Sequence, residues 1–187
     1  MNVPPKAISV TKEGQPDGFV PPMAYKLQIL DGGYTRLCIS TPPNRLRLVH
    51  RALVMSLQAP LKFLYVRLTD RQRGQLPKPE QYVAVELSQE RVLDALDKYA
   101  PLIYSDGRSQ VWVRSMLNEQ IVLEEIGALY AYPDDPLFRD TVEKFGMVEA
   151  NHDSMDSRDY IKVNFLAEAD EMEKALMHDL GLVRWQA

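Results

Sequence analysis

The chain has 187 residues, 45% of them hydrophobic and 26% charged, with a single cysteine and a formal net charge of −4. This suits one domain with a sizeable core, and it excludes an internal disulfide or any multi-cysteine metal centre. The net charge conceals a polarity: residues 36–78 carry nine Lys/Arg and one acid, whereas residues 79–187 carry ten Lys/Arg against twenty-two Asp/Glu. Such asymmetry points to an anionic partner, to self-assembly, or to two parts of one fold neutralising each other.

Residues 1–22 hold Pro4, Pro5, Gly14, Pro16, Gly18, Pro21 and Pro22 and read as an irregular arm around one short strand, Ala7 to Thr11. The remainder, 23–187, reads as a single α+β domain. Leu27 and Ile29, then Leu37 and Ile39, alternate with polar neighbours around Asp31-Gly32-Gly33, which is a β-hairpin pattern. Asn44 is a candidate N-cap for a helix with Leu46, Val49, Leu53 and Leu57 on one face, ending before Pro60. A strand is expected over Leu61 to Leu68. Residues 69–80 then read as a long loop and as the one candidate subdomain boundary.

Gln81 to Leu87 reads as a strand and Ser88 as the cap of a helix with Val92, Leu93, Leu96 and Tyr99 inward. Another strand is expected over Ser109 to Leu117. Residues 118–132 mix strand alternation with good helix formers, and a strand ending at Pro133 is the favoured reading. Asp135-Pro136 starts a helix whose inward face is Phe138, Val142 and Phe145, stopped by Gly146. Tyr160 to Leu166 is the last expected strand, and Met172, Leu176 and Leu180 face the core from a final helix. Tyr82 to Leu87 and Tyr160 to Phe165 resemble each other, each followed by a helix, as a duplicated strand–helix unit would. The expected fold class is therefore α+β: a largely antiparallel sheet of about six to eight strands with about four helices concentrated on one face.

The candidate binding residues are Arg45, Arg47 and Arg51 on the first helix and Arg67, Arg71 and Arg73 around the following strand and loop. The planar arginine fork suits phosphate and carboxylate oxygens. The competing reading is that these guanidiniums pair with the acidic C-terminal half. Arg67 and Arg71 share the Arg-x-x-x-Arg spacing of PilZ domains, but the Asp/Asn-x-Ser-x-x-Gly element of that family is absent, so no membership follows. Cys38 reads as a small core residue, His50 as a core or boundary histidine, and Asn151 to Asp159 as a solvated polar loop without calcium-loop spacing. No Gly-x-Ser-x-Gly elbow or phosphate-cradling glycine loop occurs.

No catalytic, metal or cofactor motif is expected to act. The leading expectation is a non-catalytic cytoplasmic binding protein, an adaptor, regulator or immunity-type partner, that recognises another protein through complementary charged surfaces. One alternative is an enzyme or sensor that holds a phosphorylated small molecule with the same arginines, in a pocket beside residues 69–74. A second is a homo-oligomer that pairs basic and acidic faces. The acidic pI of about 5.4 opposes non-specific nucleic-acid binding, and no run of about 18 apolar residues suggests a membrane span.

Overall fold

In a computed structural model, residues 4–163 and 166–185 are described. Among them, Ala24–Ile29 (β2), Thr35–Ser40 (β3), Leu61–Asp70 (β4), Gly74–Leu87 (β5), Ser109–Ser115 (β6), Gln120–Leu123 (β7), Leu129–Tyr132 (β8), Val148–Glu149 (β9) and Val183–Arg184 (β11) form one sheet. Its order is β11-β5-β4-β6-β7-β8-β3-β2-β9. Ala7–Ser9 (β1) and Tyr160–Lys162 (β10) form a separate antiparallel pair. The α+β class is as expected. The sheet is larger, with nine strands, and mixed, because β9 runs parallel to β2.

The strand alternation decides what each face buries. Leu61, Phe63 and Tyr65 of β4, Val111 and Val113 of β6, and Leu37 and Ile39 of β3 all point to one side and are nearly or fully buried. Five helices cover that side: Pro43–Ser56 (α1), Gln89–Lys98 (α2), Ala100–Ser105 (α3), Pro136–Glu143 (α4) and Ala169–Leu180 (α5). Two helix caps read from the sequence hold: Ser88 accepts from the Arg91 N–H and Asp135 accepts from the Leu137 N–H. Gly181 closes α5 in the left-handed region.

Several expectations change. The cap of α1 is Pro42 rather than Asn44, with Pro43 at the first helical position. Residues 69–80 are not a loop but the end of a β4–β5 hairpin, turned at Gly74 with φ +76. Residues 118–132 are two strands, β7 and β8, because Gly127 (φ +83) lets Glu124 N–H reach the Ala128 carbonyl. The fifth helix, α3, follows Tyr99 directly, since Pro101 falls in its first turn, where a missing N–H costs nothing. The two similar strand–helix stretches occupy different settings: Tyr82 to Leu87 lies within β5 of the large sheet, whereas β10 pairs, among the described residues, with β1 alone. Residues 164 and 165 of that second stretch lie outside the described residues.

The second sheet face carries a smaller cluster: Ala7, Cys38, Val122, Ile126, Ala128, Tyr130 and Met155. Residues 151–159 are thus not simply solvated. Met155 is buried, Asp156 accepts from the Tyr130 hydroxyl at 2.9 Å, and Arg158 donates to Ser9 and Asp17. The N-terminal arm is fastened where three segments meet. Val163 N–H donates to the Lys6 carbonyl at 2.8 Å, and Gly107 N–H donates to the Val163 carbonyl at 2.7 Å. A Cβ on Gly107 would stand 2.4 Å from the Lys6 carbonyl oxygen. Gly107→Ala is therefore expected to cost about 3 kcal/mol by forcing the arm away. Gly74→Ala, whose Cβ would meet open space, should cost only about 1 kcal/mol for its positive φ. Urea unfolding of both variants checks this, and equal losses would refute the close approach.

Candidate binding groove between α1 and α3

Helical spacing divides α1 into two faces. Leu46, Val49, His50 and Leu53 are buried, while Arg47, Leu48 and Met55 are exposed and Arg51 is partly so. Between this outer face and α3 lies a cavity of about 870 Å³, lined by Arg47, Leu48, Arg51, Asp97, Pro101 and Tyr104 among others. Its volume lies within the range typical of small-molecule sites.

The charged rim is one carboxylate serving two guanidiniums. Arg47 Nη2 donates to Asp97 Oδ1 at 2.9 Å and Arg51 Nε to Asp97 Oδ2 at 3.2 Å. Burial would raise the Asp97 carboxyl, but the two arginines outweigh it and hold the group below the usual carboxylate range. Arg45, two residues before Arg47 and so on another side of α1, is exposed and has no ion pair among the described residues. Two cations of this helix thus face one anion, and Arg45 points away from both.

Tyr104 is anchored from behind. Its hydroxyl lies 3.0 Å from Nδ1 of His50, whose Nε2 has no partner among the described residues. His50 is fully buried, so it is the core histidine the sequence suggested. Burial, and then the nearby Lys6 ammonium, push its pKa down to about 3. Lys6 itself is buried and donates to the Ile103 carbonyl at 2.8 Å. Desolvation lowers its pKa to about 8, against the opposing pull of Asp106 and Glu125.

The other three candidate arginines do not line the groove, although Arg71 is bonded to Leu166, which does. Arg67 donates to Glu80 and, at 3.1 Å, to Glu173, which also accepts from the Tyr65 hydroxyl at 2.7 Å. Arg71 pairs with Asp170 at 2.9 Å and donates to the Leu166 carbonyl. Arg73 pairs with Asp70 at 3.3 Å and Glu80 at 3.6 Å. None of the three principal cavities borders residues 69–74, where a phosphate pocket was an expectation. The structure therefore brings Arg47 and Arg51 together at one cavity and holds Arg67, Arg71 and Arg73 in a hairpin-end network.

Sequence reasoning missed Asp97, Pro101 and Tyr104. Only the outward positions of α1 hinted at a site, because α3 itself went unread. Among the described residues, no group of three His, Cys, Asp or Glu side chains is placed to hold a metal ion. No described helix is long and apolar enough to cross a membrane. Comparison with known protein families, curated sequences and solved structures gives no match.

The buried neutral His50 has a consequence for acid stability. Its folded pKa lies below the ordinary 6.5, so the unfolded chain binds the extra proton and stability falls as the pH drops from 6.5 towards 3. The full contribution is about 5 kcal/mol across that window. Glu124, raised to about 7 mainly by burial and then by Glu125, acts in the opposite sense between pH 4.5 and 7. The comparison must therefore be with a variant: the stability of His50→Leu relative to the parent should improve steadily from pH 6.5 to 4. Urea unfolding at pH 7, 5.5 and 4 measures it, and a pH-independent difference would refute the assignment.

Proposed function

We propose that this is a non-catalytic binding protein whose groove between α1 and α3 receives an acidic, partly apolar segment of another protein. The observation that carries this reading is the rim, where Arg47 and Arg51 share the single carboxylate of Asp97 beside exposed Leu48 and Met55. An arriving carboxylate can take over one guanidinium fork while Asp97 keeps the other, so little charge has to be stripped of all partners. The neighbouring apolar surface then supplies affinity as water leaves it. Exposed rim charges act chiefly on encounter rate, so association should weaken with salt. The ionisable groups of the rim are fixed as an ion pair, a state suited to recognition rather than proton transfer.

A second reading rests on the cavity's size, which fits a phosphorylated small molecule held by the same two arginines. Arg67, Arg71 and Arg73 belong to the proposal in a lesser degree, as a second basic surface already engaged with acids of its own chain.

Charge reversal separates these readings. With the wild-type protein immobilised, a polypeptide bound at low salt should be released by about 0.5 M NaCl. Arg47→Glu/Arg51→Glu should bind it at least about tenfold more weakly, with an unchanged circular dichroism spectrum. Lys174→Ala, on the exposed face of α5, should bind it as the parent does. For the small-molecule reading, inorganic pyrophosphate and a nucleoside triphosphate should raise the melting temperature of the parent but not of the double variant. Binding indifferent to both salt and charge reversal, with no melting shift, would sink both.

A further inference from the structure

The two ends of the large sheet are finished differently. At one end β5 runs past the two-residue β11, and residues 74–80 have no outer strand neighbour among the described residues. That stretch carries Pro77 and Pro79, which offer no N–H, and the charges of Lys78 and Glu80, the usual devices that stop one edge from pairing with another. At the other end β9 covers only Ala24 and Tyr25 of β2. Lys26 to Ile29 form an edge with no proline. Their one charge is turned inward, since the Lys26 ammonium donates to the His152 carbonyl at 2.9 Å.

The hydrogen-bond parity of this edge is determined. The Tyr25 carbonyl faces outward, accepting from Ala150 N–H at 3.0 Å, and Leu30 N–H faces inward to the Tyr34 carbonyl at 2.8 Å. Alternation along an antiparallel strand then sends the N–H and C=O of Leu27 and Ile29 outward and those of Lys26 and Gln28 towards β3. The side chains of Leu27 and Ile29 share one face of the sheet and are 38% and 71% exposed. Four backbone groups without a partner among the described residues and two exposed apolar side chains therefore lie within three residues.

This arrangement is complementary to itself. We propose that two copies of the chain join by antiparallel pairing of β2 with β2 of the second copy, centred on Gln28. Leu27 then stands opposite Ile29 of the second copy, and the symmetry repeats the pair. Both are hydrogen-bonded pairs, so all four outward groups are satisfied by four N–H···O=C bonds. On the same face each Leu27 meets an Ile29, a favourable cross-strand contact, and no like charges are opposed. The sheet continues from one copy into the other. The contact is short against the roughly 1,600 Å² of a standard interface, so the association is weak and depends on concentration. It uses no ion pair, and it is independent of the groove between α1 and α3.

Sedimentation equilibrium from about 1 to 200 µM tests the pairing, at low salt and in about 0.5 M NaCl. The wild type should shift towards dimer with concentration, equally in both salts. Leu27→Lys/Ile29→Lys and Leu27→Glu/Ile29→Glu should each be monomeric throughout, because like charges then face each other across the pair. Their circular dichroism should match the parent, since both positions are exposed. Mixed one to one, the two variants should dimerise again, as each lysine then meets a glutamate. A wild type monomeric at the highest concentration, lysine variants that dimerise like the parent, or a mixture that stays monomeric would each overturn the proposal.

Discussion

The Asp106 carboxylate is fully buried, and the segments around it supply it with N–H donors and cations. It accepts from the backbone N–H of Arg108 at 2.9 Å and from the Arg108 guanidinium at 3.0 Å, and it attracts the buried Lys6 ammonium. Removing a carboxylate from water costs several kcal/mol unless cations and N–H donors replace the water. Here they come from two chain segments, the turn after α3 and the N-terminal arm. Arg108 extends the network to Asp170 at the start of α5, and Asp170 extends it to Arg71 beyond β4. The Arg108 carbonyl also accepts from the N–H groups of Leu68 and Thr69. Arm, α3, β4, β6 and α5 are thus registered against one another through a single buried charge and its immediate partners.

The same economy governs the wider electrostatics. The basic stretch from Arg36 to Lys78 folds against acids from later in the chain: Asp97 for Arg47 and Arg51, Glu80 and Glu173 for Arg67, and Asp170 for Arg71. On the opposite sheet face Arg36 lies 3.7 Å above the Tyr130 ring and donates to Gln28 and the Tyr132 hydroxyl. That guanidinium is held by aromatic faces and neutral oxygens instead of a carboxylate. Charge is left in excess on the outer surface of α1, where two arginines share one aspartate and Arg45 has no ion pair among the described residues.

How far the sequence could be read depends on whether the physical cause is local. Period-2 alternation in Leu61 to Leu68 and the Asp135-Pro136 start of α4 are decided within a few residues, and both were legible. The two-residue strands β9 and β11 were not, because they have no period and exist only where a longer strand offers an edge. α3 was hidden because a proline after Tyr99 reads as a stop, whereas in the first turn of a new helix it is tolerated. At the groove, Arg47 and Arg51 could be named from charge and helical spacing. Tyr104 and Asp97 could not, since they reach the site only through the packing of α2 and α3 on α1. Lys6, between a proline and an alanine in a stretch read as an irregular arm, gave no sign that it would be among the most buried side chains.

The β1–β10 pair bears on how this chain reaches its fold. Ala7 is registered with Lys162, so closing that pair joins segments separated by nearly the whole chain. Little is gained from it until α3, the turn at Asp106 and the loop carrying Glu125 are already in place, because Ile103, Asp106 and Glu125 offset the desolvation of Lys6. Long-range closure of this kind comes late and slows the final step. The N-terminal arm is therefore a latch on a body already assembled. In native-state hydrogen exchange, the amides of Val10 and Val163 should open together, and at lower free energy than those of β4 and β6.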